Sequence, residues 1–170
     1  NILKQPIPDL TKLIEALKSS KIRNKAKELA VKLVDKVPII YSSQRIYPVA
    51  YRWKTQFNEN AKIHAFSNAF SELNHNELEG FVHLKADFHV VIIVDDEDNA
   101  KIKKRMAITK KLVLSKGLSV TEIAITGKKL FNRIITELYL GDLTSVYLAE
   151  NYKIDPTEVH LIEQFKKHLK

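Results

Sequence analysis

The chain has 170 residues, enough for one domain with a real core. Hydrophobic residues make up 45% and charged residues 28%, with no cysteine, so disulfides and thiolate metal sites are excluded. No apolar run approaches the roughly 18 residues that cross a bilayer, and the N-terminus lacks a signal-peptide block, so no membrane is expected and a cytoplasmic location is. The net charge of +8 admits nucleic acid, acidic surfaces or phosphorylated metabolites as partners.

The predicted elements begin with a helical lead-in over residues 1–36, followed by an α/β lobe over 37–170. Pro6 and Pro8 mark an extended start. Leu10, Leu13, Ile14 and Leu17 predict a short helix, and Ile22, Ala26, Leu29, Ala30, Leu33 and Val34 a second. Val37-Pro38-Ile39-Ile40-Tyr41 reads as a buried strand, with Ser42 and Ser43 as a polar corner. A helix is expected over 45–57, with Pro48 tolerated in its first turn. Residues 63–66 are expected as a second strand. Asn74 to Glu77 resembles a helix start, with an amide cap and a carboxylate three residues on.

The uniformly apolar 89–94, ending at Asp95 and Asp96, predicts a central strand covered on both faces. A helix over 99–116 stops before Gly117, a fourth strand spans 118–126, and two helices separated near Asp155-Pro156 close the chain. The expected fold is therefore α/β, a parallel sheet of four to five strands with helices on both faces. Ligands in such sheets gather beyond the C-terminal ends of the strands, where Tyr41, Asn68 and Asp95 fall. The basic cluster from Lys101 to Lys111 interleaves with Ile102, Met106, Ile108, Leu112 and Val113, a solvated amphipathic helix rather than a nucleic-acid stripe.

Three ionisable residues stand out. Glu59 lies between Asn58 and Asn60, close to Trp53, Gln56 and Phe57, at what reads as a strand-to-helix corner. That composition suits a positioned, partly desolvated carboxylate acting as a general base, against the plainer reading of a surface acid near Lys62. His75 lies between Asn74 and Asn76; at a helix N-terminus it would stay neutral and both accept and donate protons, or it is simply a surface histidine. Lys166 falls within the stripe of Val159, Ile162, Phe165 and Leu169 on the last helix, so it either snorkels to the edge or reaches an anionic ligand. No histidine pair has metal-ligand spacing, so no metal is expected, and no glycine-rich phosphate loop is present.

Trp53-Lys54-Thr55-Gln56-Phe57-Asn58-Glu59-Asn60-Ala61-Lys62, with Asn74-His75-Asn76-Glu77 and the tail motifs Gly141-Asp142, Tyr147-Leu148-Ala149 and Asp155-Pro156-Thr157, resembles the C-terminal half of the bifunctional phosphoglucose/phosphomannose isomerases. These belong to the phosphoglucose isomerase superfamily and are built from sugar isomerase (SIS) domains. The resemblance implies interconversion of glucose 6-phosphate, mannose 6-phosphate and fructose 6-phosphate through a cis-enediolate, with no organic cofactor. It makes Glu59 the base, His75 the ring-opening histidine contributed across a homodimer, and Lys166 the C-terminal lysine, with Gln56, Asn58 and Asn60 lining the substrate.

Family members have two SIS lobes, and the first carries the Ser/Thr-rich phosphate cradle that this sequence lacks. The chain, which starts at Asn1 without methionine, is accordingly expected to be the C-terminal lobe of a longer enzyme, partnered by an N-terminal SIS lobe, or else a half-length relative, and in either case nearly inactive alone. The alternatives are a non-catalytic sugar-phosphate-binding SIS module and, less in keeping with the motifs, a basic nucleic-acid-binding domain.

Overall fold

The structure, a computed structural model, describes residues 10–169. Its strands β1 (Val37–Ser43), β2 (Phe66–Phe70), β3 (Phe88–Asp95) and β4 (Ser119–Ile125) form one parallel sheet in the order β2-β1-β3-β4. The helices are α1 (Leu10–Lys18), α2 (Ser20–Leu33), α3 (Tyr47–Asn60), α4 (Ala100–Ser115), α5 (Leu130–Asn151) and α6 (His160–His168). The extended start expected around Pro6 and Pro8 lies outside the described residues.

Side chains alternate across a strand, and the two faces of the sheet carry separate cores. Ile40, Val91, Ile93, Ile123 and Ile125 pack under α2, α3 and α5. Ile39, Tyr41, Val90 and Ile92 pack on the opposite face against Met106 and Val113 of α4 and against Phe70, Leu73 and Phe81. β1 and β3 lie inside the sheet and are buried along most of their length, so they lack polar alternation. Among the described residues no helix is long and apolar enough to cross a membrane.

The longest helix, α5, buries a stripe at four-residue spacing, Arg133, Glu137, Gly141 and Ser145, and so runs one polar or small face down the height of the sheet. Gly141 is needed there because a Cβ would collide with the Trp53 indole of α3. The same indole donates from Nε1 to the Glu137 carbonyl at 2.7 Å.

Several local expectations are corrected. Ser42 and Ser43 are buried strand residues, because β1 continues pairing with β2 through Ser43. α3 runs on to Asn60, since burial of Trp53, Gln56 and Phe57 carries the helix until the chain turns at Lys62 with φ 58°. β2 starts at Phe66 rather than Ile63, whose carbonyl is taken by Asn58 Nδ2 at 2.8 Å. No α-helix starts at Asn74: Glu72–Asn74 is a single 3₁₀ turn, and the side chains read as a capping pair are engaged elsewhere. On α4, Ile108 and Leu112 are exposed, and Met106, Thr109 and Val113 make the buried face.

Candidate active site

Chain direction decides where the candidate residues fall. β1 and β2 are parallel, so α3 between them returns from the C-terminal to the N-terminal end of the sheet. Glu59, in the last turn of α3, therefore lies at the N-terminal end, a helix-to-strand corner rather than the expected strand-to-helix corner. His75 follows β2 and lies at the C-terminal end. The five residues of β2 stand between them, about 16 Å of strand, far beyond the hydrogen-bond reach that one small substrate could bridge.

Glu59 borders a groove of about 750 Å³ between the end of α3 and the start of α6, shared with Lys54, Lys62, His64, Asp155 and His160. Its carboxylate forms no hydrogen bond or ion pair among the described residues, and the side chain is exposed, so this chain alone does not supply the expected desolvation. The backbone around it is firmly held. Asn60 Nδ2 donates to Ser145 Oγ of α5 at 2.8 Å, and Lys62 Nζ donates to the Glu59 carbonyl at 2.6 Å and to the Pro156 carbonyl at 3.2 Å. Asn58 and Asn60 thus spend their amide donors on holding the corner, and Gln56 is buried behind it.

α6 starts at the same end of the sheet. It buries none of its residues: Leu161 is 80% exposed and Phe165 63%, and Leu169 just after it is 70% exposed. Lys166 is exposed one turn beyond Ile162, which lines the groove. The apolar stripe read from the sequence exists, but within this chain it faces solvent, so there is no inward side for Lys166 to occupy.

His75 is exposed on an irregular segment, not at a helix N-terminus, and the dipole argument for its neutrality does not apply. Its neighbours are fixed. Asn74 Nδ2 donates to Thr109 Oγ1 of α4 at 2.8 Å, and Glu77 accepts from the Tyr41 hydroxyl at 2.6 Å and from Asn68 Nδ2 at 2.5 Å. Tyr41 and Asn68 stand out in the sequence by their place near strand ends; their common acceptor Glu77, two residues after His75, reads there as a helix-capping carboxylate instead.

The switch point of the sheet lies between β1 and β3, the usual ligand crevice of such folds. Here it is filled by the protein's own charges. Asp95, fully buried, accepts from Arg45 at 2.5 Å and lies 3.2 Å from Nε of Arg133. Glu97 pairs with both guanidiniums, and its carboxyl is held down at about 2 by the hydrogen bonds from Arg133 and Arg45. Arg133 and Glu137, charged residues four apart on the buried face of α5, do not stand out in the sequence; their four-residue spacing with Gly141 and Ser145 is the one signal that could place them on a single face. Burial raises the Glu137 carboxyl from its ordinary 4.5 to about 7. Among the described residues no group of three or more histidine, aspartate or glutamate side chains could hold a metal ion.

Comparison with known proteins fits this architecture. The chain is 42% identical over 151 residues to the bifunctional phosphoglucose/phosphomannose isomerase of Caldicellulosiruptor bescii, covering 86% of this chain and 44% of that protein. It is 40% identical over 136 residues to the protein of the same name from Thermoplasma acidophilum, covering 79% and 42%. The chain thus spans under half the length of these curated relatives. A solved glucose-6-phosphate isomerase like protein from Thermus thermophilus shares the fold, with a TM-score of 0.63 at 24% identity over 84% of this chain and 46% of that one. The sequence model of the bacterial phospho-glucose isomerase C-terminal SIS domain matches residues 22–169, and the chain belongs to that family.

Proposed function

We propose that this chain is the acid–base lobe of an aldose–ketose isomerase acting on hexose 6-phosphates, working in a homodimer together with an N-terminal SIS lobe. Glu59 takes the proton from C2 of the open-chain aldose and returns it to C1 of the cis-enediolate, giving the ketose, with the reverse sequence for the back reaction. His75 of a second copy opens the sugar ring by moving a proton between the ring oxygen and O1. Lys166 offsets negative charge developing on the enediolate oxygens. Gln56, Asn58 and Asn60 hold the helix end that presents the carboxylate to the substrate.

The observation that carries this reading is the opposite placement of Glu59 and His75. Both are exposed, and a strand's length separates them, so one substrate can meet both only if two copies bring unlike ends together. The open groove beside Glu59 and the uncovered apolar face of α6 at the same end support a site completed by other protein surfaces. Covering that end would also desolvate Glu59, which favours its action as a base.

The test is Glu59→Gln in the enzyme reconstituted with its N-terminal lobe. Turnover should fall by about 10²–10⁴-fold, while binding of the sugar phosphate stays nearly intact. Undiminished turnover would remove Glu59 as the base. Binding of the sugar phosphate without turnover in the unmutated reconstituted protein would favour the non-catalytic sugar-phosphate-binding module. The chain by itself, without a phosphate cradle, should convert almost no fructose 6-phosphate in a coupled assay.

A further inference from the structure

We propose that Glu77 is a positioning residue for His75: bridging Tyr41 of β1 and Asn68 of β2, its carboxylate clamps the turn that carries the imidazole. The inference rests on the reading of His75 as the ring-opening group and adds how the fold holds it ready.

Tyr41 and Asn68 are direct register partners on adjacent strands. Glu77 Oε2 accepts from the Tyr41 hydroxyl at 2.6 Å, and Oε1 accepts from Asn68 Nδ2 at 2.5 Å. Both donors are themselves fixed. Tyr41 is fully buried, with its ring edge-on to Phe70 at 6.0 Å, and the Asn68 side-chain oxygen accepts from the Ala69 amide at 2.7 Å. Burial, and then the bond to Glu77, push the Tyr41 phenol far up, so it stays a donor. On the other flank Leu73 is fully buried, and Asn74 is tied to Thr109 of α4.

Side chains from β1, β2 and α4 therefore pin the segment on either side of His75, while His75 and Asn76 are exposed. Backbone bonds close the turn, from the His75 amide to the Glu72 carbonyl at 2.8 Å and from the Glu77 amide to the Leu73 carbonyl at 3.0 Å. An irregular segment gains no order from a helical ladder, and leaving it free would allow each residue many conformations. A group that must meet a sugar bound on another subunit gains rate from being held in place beforehand.

Two measurements test the clamp. In this chain, Tyr41→Phe removes one bond and keeps the ring packed. The Glu77 amide should then exchange with solvent about tenfold faster, and the His75 ring resonances should broaden. In the reconstituted enzyme, Tyr41→Phe should lower kcat about tenfold with KM held, because positioning rather than binding is lost. Glu77→Ala should be worse, and Glu77→Gln, which keeps one acceptor, should recover part of the loss. Unchanged exchange and ring signals in Tyr41→Phe would overturn the clamp whatever the kinetics. A loosened turn with full turnover per folded molecule would uphold the clamp and overturn the role of His75 instead. A fall in melting temperature with both readouts unmoved would reduce Glu77 to a structural residue and overturn the proposal.

Discussion

At the C-terminal end of the sheet, where β1 and β3 diverge, Arg45 and Arg133 are locked to Asp95 and Glu97, and the crevice usual for ligands is occupied by the protein itself. At the N-terminal end, Glu59 stands at a groove of about 750 Å³ beside a helix that buries nothing. The first crevice is neutralised internally, so it asks for no ligand of its own. The second presents a carboxylate, several cations and an apolar stripe, and so has features that another surface or a substrate can satisfy. Within one fold, the crevice that topology favours for ligands is filled by ion pairs, the candidate base Glu59 stands at the end where α3 terminates, and His75 stays at the C-terminal end, beyond β2.

That contrast can be broken most severely at Asp95. Asp95→Asn removes the buried one of Arg133's two carboxylate partners and leaves Glu97 alone against two guanidiniums, and unfolding by denaturant should show a loss of about 3–5 kcal/mol. Glu137, one turn further down α5, gives a pH-dependent version of the same test. Its pKa is raised on folding from 4.5 to about 7, so the native state holds the proton more tightly and stability falls as pH rises through that window. Glu137→Gln should be close to neutral at pH 4 and should stabilise the chain by on the order of 3 kcal/mol at pH 8, read from denaturation midpoints at the two pH values.

Gly141→Ala sharpens the link between the two ends. The added methyl collides with Trp53 and should cost about 1–3 kcal/mol, partly by shifting α3 and with it Glu59. The smallest effect belongs to the open end. Phe165→Ser on the exposed face of α6 should change the stability of this chain by less than about 0.5 kcal/mol, measured by the same denaturation. The same substitution in the reconstituted dimer should be costly if that face is covered there.

The sequence by itself determined the α/β character with a parallel sheet, the buried strands beginning at Val37 and at 89–94, and the residues that mark the family. Apolar runs such as 89–94 and helical stripes such as Ile22 to Leu33 are consequences of burial, and burial leaves its period in the chain. Only the tertiary structure decided how polar side chains are used. Asn74 and Glu77 have the spacing of a capping pair, yet Thr109, Tyr41 and Asn68 compete for them from other elements and win. Ile63 reads as a strand start until Asn58 takes its carbonyl. Glu59 and His75 look like neighbours in sequence, yet the reversal of direction through α3 and β2 sends them to opposite ends of the sheet. Local periodicity records which face is buried; a hydrogen bond between distant residues has no period, so its partners become known only once the chain has folded.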